Sequence, residues 1–232
     1  MPDRIHIRVD RDLGSLRACA VRMAELCEAI LAKSLRAVRE RSPALAAEVK
    51  HDDLAIDQLD IEIDDLVLQI LALDAPVASD LRHVIAIKSI ATDLERIGDI
   101  SRNIAGCARR LSQHSPVEFG DELTTLGEGS RTALHDAIRA FRELDVNLAR
   151  AVLGSDDKID ELEGRIIRDA ISRLTVTPEH TEQEIDLIFI TKDLERVGDH
   201  ATNIAEEVIL AAEAKNLKHA SKLAGKLAAH PR

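Results

Sequence analysis

Apolar residues recur along most of this chain at spacings of three and four, which is the period of an α-helix. A clear run is formed by Ile56, Leu59, Ile63, Leu66, Ile70 and Leu73. Such a run is typical of an amphipathic helix with one buried face. No stretch alternates apolar and polar residues for long enough to indicate a strand. The sequence therefore predicts an all-α protein.

Prolines divide the periodic pattern into segments. Pro43, Pro76, Pro116 and Pro178 each lie between two long periodic stretches. Proline suits the first turn of a helix and disrupts its interior, so these four residues mark helix starts or loops. The sequence predicts six helices, at residues 10–40, 44–73, 77–112, 121–144, 146–175 and 179–215. Because the joints are short, consecutive helices are expected to run antiparallel.

The chain contains an internal repeat. Residues 93–99 read DLERIGD and residues 193–199 read DLERVGD, and Asn-Ile-Ala follows each tract after three residues. Upstream the repeat continues with an offset of 103, which places Asp53 on Asp156. Three fewer residues between the second and third helices of the second copy reduce this offset to 100.

The repeat predicts how the chain is divided. We expect two tandem, sequence-related three-helix bundles with up-down-up topology. Ser115, Pro116 and Gly120 form the best boundary between them. The predicted units are residues 1–115 and 120–215, and residues 216–232 are expected to form a flexible tail.

Acidic residues form ladders on two helices of each unit. Side chains three or four residues apart on a helix are neighbours, and like charges at this spacing destabilise the helix slightly. The ladders lie beside the apolar seam, since Asp57 follows Ile56 and Glu95 follows Leu94. We therefore expect the ladders of neighbouring helices to face each other and to form an oxygen-rich site. The candidate metal ligands are Asp53, Asp57, Asp60, Glu95, Asp99, Asp156, Asp160, Glu163, Glu195 and Asp199.

The chemistry of these ladders has more than one interpretation. Oxygen ligands suit hard cations such as Mg, Ca, Mn or iron. A single Asp-x-x-x-Asp pair, however, is usually a solvated helix face. Gly98 and Gly198 lie within the repeated tracts, where a missing side chain lets another helix approach, and they have a packing role under either interpretation. The histidines do not follow the ladders, and Glu48 with His51 is the one Glu-x-x-His motif, which argues against a ferritin-like di-iron centre.

Composition excludes several classes of function. Three phenylalanines are the only aromatic residues, which disfavours base stacking, and a net charge of -11 disfavours nucleic acid and anionic membranes. Cys19, Cys27 and Cys107 are odd in number and predict reduced thiols in the cytoplasm. No apolar run approaches the ~20 residues of a membrane span. No phosphate loop or nucleophile motif is present, so we expect no catalysis.

The doubled tract, together with Ala-Pro-Val-Ala-Ser-Asp-Leu-Arg at residues 75–82, resembles the signatures of the PhoU family of phosphate-specific transport accessory proteins. The resemblance covers about residues 10–210. It implies a cytoplasmic, non-enzymatic regulator, often a homodimer, which couples the phosphate ABC transporter to a sensor histidine kinase. It also implies multinuclear iron or zinc clusters on the acidic helix motifs. Arg82, which has no counterpart in the second unit, is the expected partner-binding residue.

Two other functions stay open from the residues alone. Paired carboxylate ladders are able to hold two metal ions, and two-metal sites activate water, so a carboxylate-bridged metalloenzyme is one alternative. The other is a helical scaffold whose acidic residues are simply solvated.

Overall fold

The computed structural model describes residues 2–117 and 119–217, with side chains from residue 9 onwards. Within these residues the protein is helical and no strand occurs, so the all-α prediction is confirmed. The helices are α1 (Pro2–Glu40), α2 (Pro43–Leu73), α3 (Ser79–Leu111), α4 (Gly120–Glu143), α5 (Val146–Leu153), α6 (Asp156–Val176) and α7 (Thr181–Glu213). A short 3₁₀ turn, Pro178–His180, precedes α7.

The predicted single helix at residues 146–175 is wrong, because the chain breaks it into α5 and α6. The break lies at Gly154 and Ser155. Glycine is a poor helix former, and the Ser155 hydroxyl donates to the carbonyl of Val152 at 2.7 Å, which competes with the backbone pattern of a continuous helix. At the other end of α5, Asp145 accepts from the backbone N–H of Leu148 at 3.0 Å and caps the helix.

The first unit consists of α1, α2 and α3, and the second consists of α4, α5, α6 and α7. Both pack around aliphatic side chains, and the buried residues of the two units form one continuous core. The division at residues 115 and 120 stays a prediction. Residues 218–232 of the predicted tail lie outside the described residues.

The two units meet through α3 and α7, which run antiparallel. Asp93 near the middle of α3 contacts His200 of α7, and Arg110 near the end of α3 contacts Asp186 near the start of α7. This arrangement places the α2–α3 turn and the α6–α7 turn at opposite ends of the molecule. None of the described helices is both long and apolar enough to cross a membrane.

Candidate functional site: two acidic clusters and two apolar ends

The first acidic cluster lies between α2 and α3. Burial raises the pKa of Glu95, and the carboxylate of Asp99 raises it further. Asp60 and Asp57 of α2 act in the same direction, although Arg96 opposes them. Carboxylates influence one another in this way only at short range. The acidic residues of the two helices therefore share one region of the bundle.

Asp53 is the buried member of this cluster, with 1% of its surface exposed. Its Oδ2 accepts from Nη1 of Arg102 at 2.6 Å, and the same guanidinium pairs with Asp99. Burial raises the pKa of Asp53, and Arg102 opposes that rise. An arginine of α3 thus compensates a carboxylate that α2 carries into the core.

Gly98 allows this close approach of α2 and α3. A Cβ atom at this position would lie 2.8 Å from Oδ1 of Asp53 and 3.2 Å from Cδ1 of Ile56. Gly198 has the same role in the second unit, where a Cβ atom would lie 3.0 Å from Cδ1 of Ile159. The predicted packing role of both glycines is confirmed.

Further basic side chains neutralise the first cluster. Nζ of Lys88 lies 3.1 Å from Oδ1 of Asp60 and 2.5 Å from Oδ1 of Asp64. Nη1 of Arg96 lies 3.4 Å from Oδ2 of Asp99. Sequence reasoning missed Lys88 and Arg102, although Arg102 lies one helical turn after Asp99 and could have been found by that spacing.

The second acidic cluster lies between α6 and α7. Asp160 is exposed, but its partial desolvation raises its pKa, and so do the carboxylates of Asp199 and Glu163. Burial also raises the pKa of Glu195, again with Asp199 as the strongest acidic neighbour. Lys192 pairs with Glu163 and lowers the pKa of Glu195.

The two clusters differ in their basic residues. Thr202 stands where the first unit has Arg102, and Ile188 stands where it has Lys88. Arg196 contacts Asp193 at 3.1 Å, whereas its counterpart Arg96 contacts Asp99. The second cluster therefore carries less compensating positive charge than the first.

The fit of these clusters to a metal ion is partial. Their donors are all oxygen atoms, as a hard cation requires. As the described side chains are arranged, no group of three or more His, Cys, Asp or Glu residues is placed to hold an ion. A cation would have to displace a basic side chain. In the first cluster this would remove Arg102 from the buried Asp53, so the second cluster is the better candidate.

Two residues outside the clusters bear on the predictions. Arg82 lies in the first turn of α3 and is half-buried, and its Nε is buried without a hydrogen-bond partner among the described residues. Nδ1 of His200 lies 2.8 Å from Oδ1 of Asp93, which accepts its hydrogen bond, and Nδ2 of Asn203 donates to the same oxygen at 3.2 Å. His200 thus joins the two units, a role that sequence reasoning did not anticipate.

Each unit also has an apolar end, beside the connection that precedes its last helix. This connection is the α2–α3 turn in the first unit and the α6–α7 turn in the second, and three exposed aliphatic residues define each end. Leu68, Leu73 and Ile85 form the apolar end of the first unit. Ile171, Val176 and Ile185 form that of the second unit, and they occupy the aligned positions of the repeat. All six are between 41% and 77% exposed. Single exposed aliphatic residues are ordinary, but here three aligned positions are exposed and aliphatic in both copies. The first unit also exposes Leu71, Val77 and Leu81, and the second exposes Phe189.

The fold and the repeat together define a class, namely all-helical proteins built from two tandem related bundles. The sequence model described as "PhoU domain" matches residues 20–108 and again residues 123–208. The chain belongs to the PhoU family. The two matches confirm the predicted tandem architecture.

Relatives and solved structures agree with this assignment. The chain is 36% identical to the phosphate-specific transport system accessory protein PhoU homolog 1 of Thermotoga maritima, over 92% of each protein. It is 36% identical to the homologue of Zymomonas mobilis, over 90% of this chain and 88% of that one. The crystal structure of PhoU from Pseudomonas aeruginosa matches with a TM-score of 0.86 and 30% identity, over 89% of this chain and 99% of that one.

Proposed function

We propose that this protein is a non-enzymatic regulator of phosphate transport that acts as an adaptor, with the phosphate ABC transporter and a sensor histidine kinase as its partners. Its relatives are named as accessory proteins of the phosphate-specific transport system, which supports the transporter as one partner. The pair of apolar ends is the observation that carries the adaptor role. No catalytic group is needed for it.

The position of the apolar ends suits a bridging protein. A helix rises about 1.5 Å per residue, so the stretch of α3 from Ile85 to Arg110, which contacts Asp186, separates the two ends by ~40 Å. Two partners are able to occupy ends this far apart at the same time. Exposed aliphatic clusters are typical of protein contact sites. Arg82 lies beside the first end only, which would let the two ends select different partners.

A capture experiment with phosphate-replete cells tests the adaptor role. Variants Leu73→Ser/Ile85→Ser and Val176→Ser/Ile185→Ser each alter one end at exposed positions, so the fold should persist. We expect each variant to lose one of the two partners and to retain the other. Leu54→Ser/Ile61→Ser, which alters exposed residues on the flank of α2, is the matched control and should retain both.

Two outcomes would contradict the adaptor. One is that both end variants capture the same proteins as the unaltered chain. The other is normal repression of phosphate-scavenging genes in cells that lack this protein. If the adaptor keeps these genes repressed when phosphate is plentiful, its loss should cause their expression.

We further propose that the acidic clusters bind metal, either the iron or zinc that family resemblance implies or Mg, Mn or Ca, and that the second cluster binds more tightly. The shortage of basic residues around Asp160 and Glu195 supports this order. Elemental analysis of untagged protein should show more metal lost from Asp160→Asn/Glu195→Gln than from Asp57→Asn/Glu95→Gln. An equal metal content in both variants and in the parent would show that the acidic clusters do not bind metal.

The remaining family traits are proposed with the adaptor. A cytoplasmic homodimer is expected, and sedimentation of the purified chain measures its oligomeric state.

A metalloenzyme is the alternative function. Turnover of a phosphoester by metal-loaded protein, abolished by Glu95→Gln, would favour that alternative over the adaptor.

A further inference from the structure

A cavity of about 440 Å³ lies where the two units meet, and none of the acidic-cluster residues lines it. It is bordered by the second half of α1, the start of α4 and the middle of α7. Small-molecule sites in proteins commonly measure ~300–1,000 Å³, so the cavity is large enough for a small organic ligand.

The floor of the cavity is apolar. Leu35 and Val38 of α1, Leu123 of α4, and Ile190 and Leu194 of α7 line it. Leu35 and Val38 are partly exposed and present the apolar surface, and Leu123 is 9% exposed. Ile190 and Leu194 are fully buried beneath them. The body of a ligand that fills this floor would therefore be apolar.

The rim of the cavity is basic. Arg36, Arg39, Arg41 and Arg131 line it, and Glu128 is the one acidic residue among the described lining side chains. This balance is opposite to that of the whole chain, which has 42 acidic and 31 basic residues. A basic rim around an apolar floor is complementary to a ligand that carries a negative charge at one end.

The four arginines are not equivalent. Arg41 donates to the carbonyl of His114 at 2.6 Å, and Arg36 pairs with Glu40 at 3.3 Å, so the protein already uses both. Arg39 is 73% exposed and reaches Glu40 only at 4.0 Å, and Arg131 is exposed. Arg39 and Arg131 are thus the two rim residues best able to bind an anion.

The repeat provides an internal comparison, because the aligned place in the other half of the molecule is filled. Val38 aligns with Phe141, which is 4% exposed there, and only about 20 Å³ of space remains beside it. Arg131 aligns with Glu28. The fold therefore does not require a cavity at this place, and one half has both the open space and the positive charge.

We propose that this cavity binds a small amphipathic anion, with its apolar chain on the floor and its carboxylate or phosphate group on the basic rim that includes Arg39 and Arg131. The site is independent of the adaptor role and of the metal proposal, since it shares no residue with either. Decanoate and decyl phosphate supply the two anionic groups on the same apolar chain, and together they distinguish a fatty acid from a phosphate ester.

Isothermal titration of the full chain tests the proposal, with both probes kept below their critical micelle concentrations. We expect saturable binding of at least one probe with one site per chain. Inorganic phosphate and decyltrimethylammonium, which each lack one of the two features, should bind at least about tenfold more weakly.

Two variants replace a cavity residue with the residue at the aligned position of the other repeat, and they test whether the probe binds in this cavity. Val38→Phe should abolish it by filling the floor, and Arg131→Glu should weaken it by about tenfold or more. Arg142→Gln, which alters the residue aligned with Arg39, is the matched control and should bind as the parent does. Thermal unfolding of each variant checks that it is folded. If Val38→Phe does not fold, the exposed Arg131 decides the question alone.

Three results would overturn the proposal. The first is that neither anionic probe shows saturable binding. The second is equal affinity for decyltrimethylammonium, which would mean that the cavity selects only for an apolar chain. The third is binding that Arg131→Glu leaves unchanged, which would place the probe elsewhere on the surface.

Discussion

At the scale of single residues, Gly98 and Gly198 occupy aligned positions but face different neighbours. A methyl group at Gly98 would meet Asp53, whose carboxylate Arg102 holds in place. A methyl group at Gly198 would meet the end of the flexible Ile159 side chain. We expect Gly98→Ala to lower the free energy of unfolding by about 1–3 kcal/mol, and Gly198→Ala to lower it less.

Urea denaturation measures both variants, and the chain offers a control for them. Gly14 lies within α1 with no neighbouring heavy atom within 4 Å of an added Cβ. Gly14→Ala should therefore raise the free energy of unfolding by up to ~1 kcal/mol, because alanine favours a helix more than glycine does. A Gly98→Ala variant that behaved like Gly14→Ala would contradict the close contact of α2 with α3 at Gly98.

The cysteines give a second prediction at this scale. Cys19, Cys27 and Cys107 are all free and buried. Burial raises the pKa of the Cys107 thiol to about 12 and raises that of Cys27 well above its ordinary value. The reactive thiolate is thus scarce at neutral pH. We expect iodoacetamide to label the native protein slowly and the urea-unfolded protein rapidly, as mass spectrometry would measure; rapid labelling of the native protein would contradict this.

At the scale of helices, Arg102 stabilises the contact between α2 and α3. Arg102→Ala would leave Asp53 buried without its cation, so we expect the free energy of unfolding to fall by about 1–3 kcal/mol. Thr202→Ala, at the aligned position in α7, should have little effect. Adding Asp53→Asn to the Arg102→Ala variant should recover part of the loss.

The pH dependence of the Arg102→Ala variant follows from the burial of Asp53. Burial raises the pKa of Asp53, so the folded protein holds the proton more tightly than the unfolded chain, whose Asp pKa is about 3.9. Stability is then lost as pH rises through the interval between these two pKa values. We expect the deficit to be small below pH ~4 and to grow as the pH rises, and a deficit that grew as pH fell would contradict this account.

The helix boundaries show what local sequence is able to predict. The apolar period and the prolines located α2 and α4 to within a few residues. They failed at Gly154 and Ser155, because the apolar period continues through α5 and α6 while the backbone breaks. The signal was present as a glycine followed by a serine and two aspartates, which is a typical helix end and start.

At the scale of the whole molecule, the packing of α3 against α7 joins the two units thermodynamically. Arg110 donates to Asp186 at 2.8 Å, and the core runs through both units. We expect one cooperative unfolding transition in calorimetry, with equal calorimetric and van't Hoff enthalpies. Asp186→Ala should lower the midpoint of that single transition, whereas two resolved transitions would show that the units unfold independently.

The repeat also determines how much of the candidate sites the sequence could predict. The acidic ladders were found because the chain contains them twice. His200 with Asp93, and the cavity beside Val38, depend on how the two units pack, for which neither a period nor a motif provides a signal. The aligned repeats already differ at two of these positions, Val38 against Phe141 and Arg131 against Glu28. These differences indicate a cavity only once the structure shows that α1, α4 and α7 border the same space.

The unequal charge of the two acidic clusters leads to the last prediction. In the second cluster, partial desolvation and neighbouring carboxylates raise the pKa of both Asp160 and Glu195, so ionising them at neutral pH destabilises the fold. Glu195→Gln should therefore raise the melting temperature of metal-free protein. A bound cation relieves the same repulsion, so Mn²⁺ should raise the melting temperature of the parent at neutral pH and raise that of Glu195→Gln much less.

Glu95→Gln is the matched variant for this measurement. Because Lys88, Arg96 and Arg102 already compensate the first cluster, it should leave most of the response to Mn²⁺ intact. The response should also fade as the pH falls and the carboxylates become protonated, since a metal ligand must be ionised. An equal loss of the Mn²⁺ response in both variants would mean that the basic residues of the first cluster do not exclude a cation, and that the two halves bind metal alike.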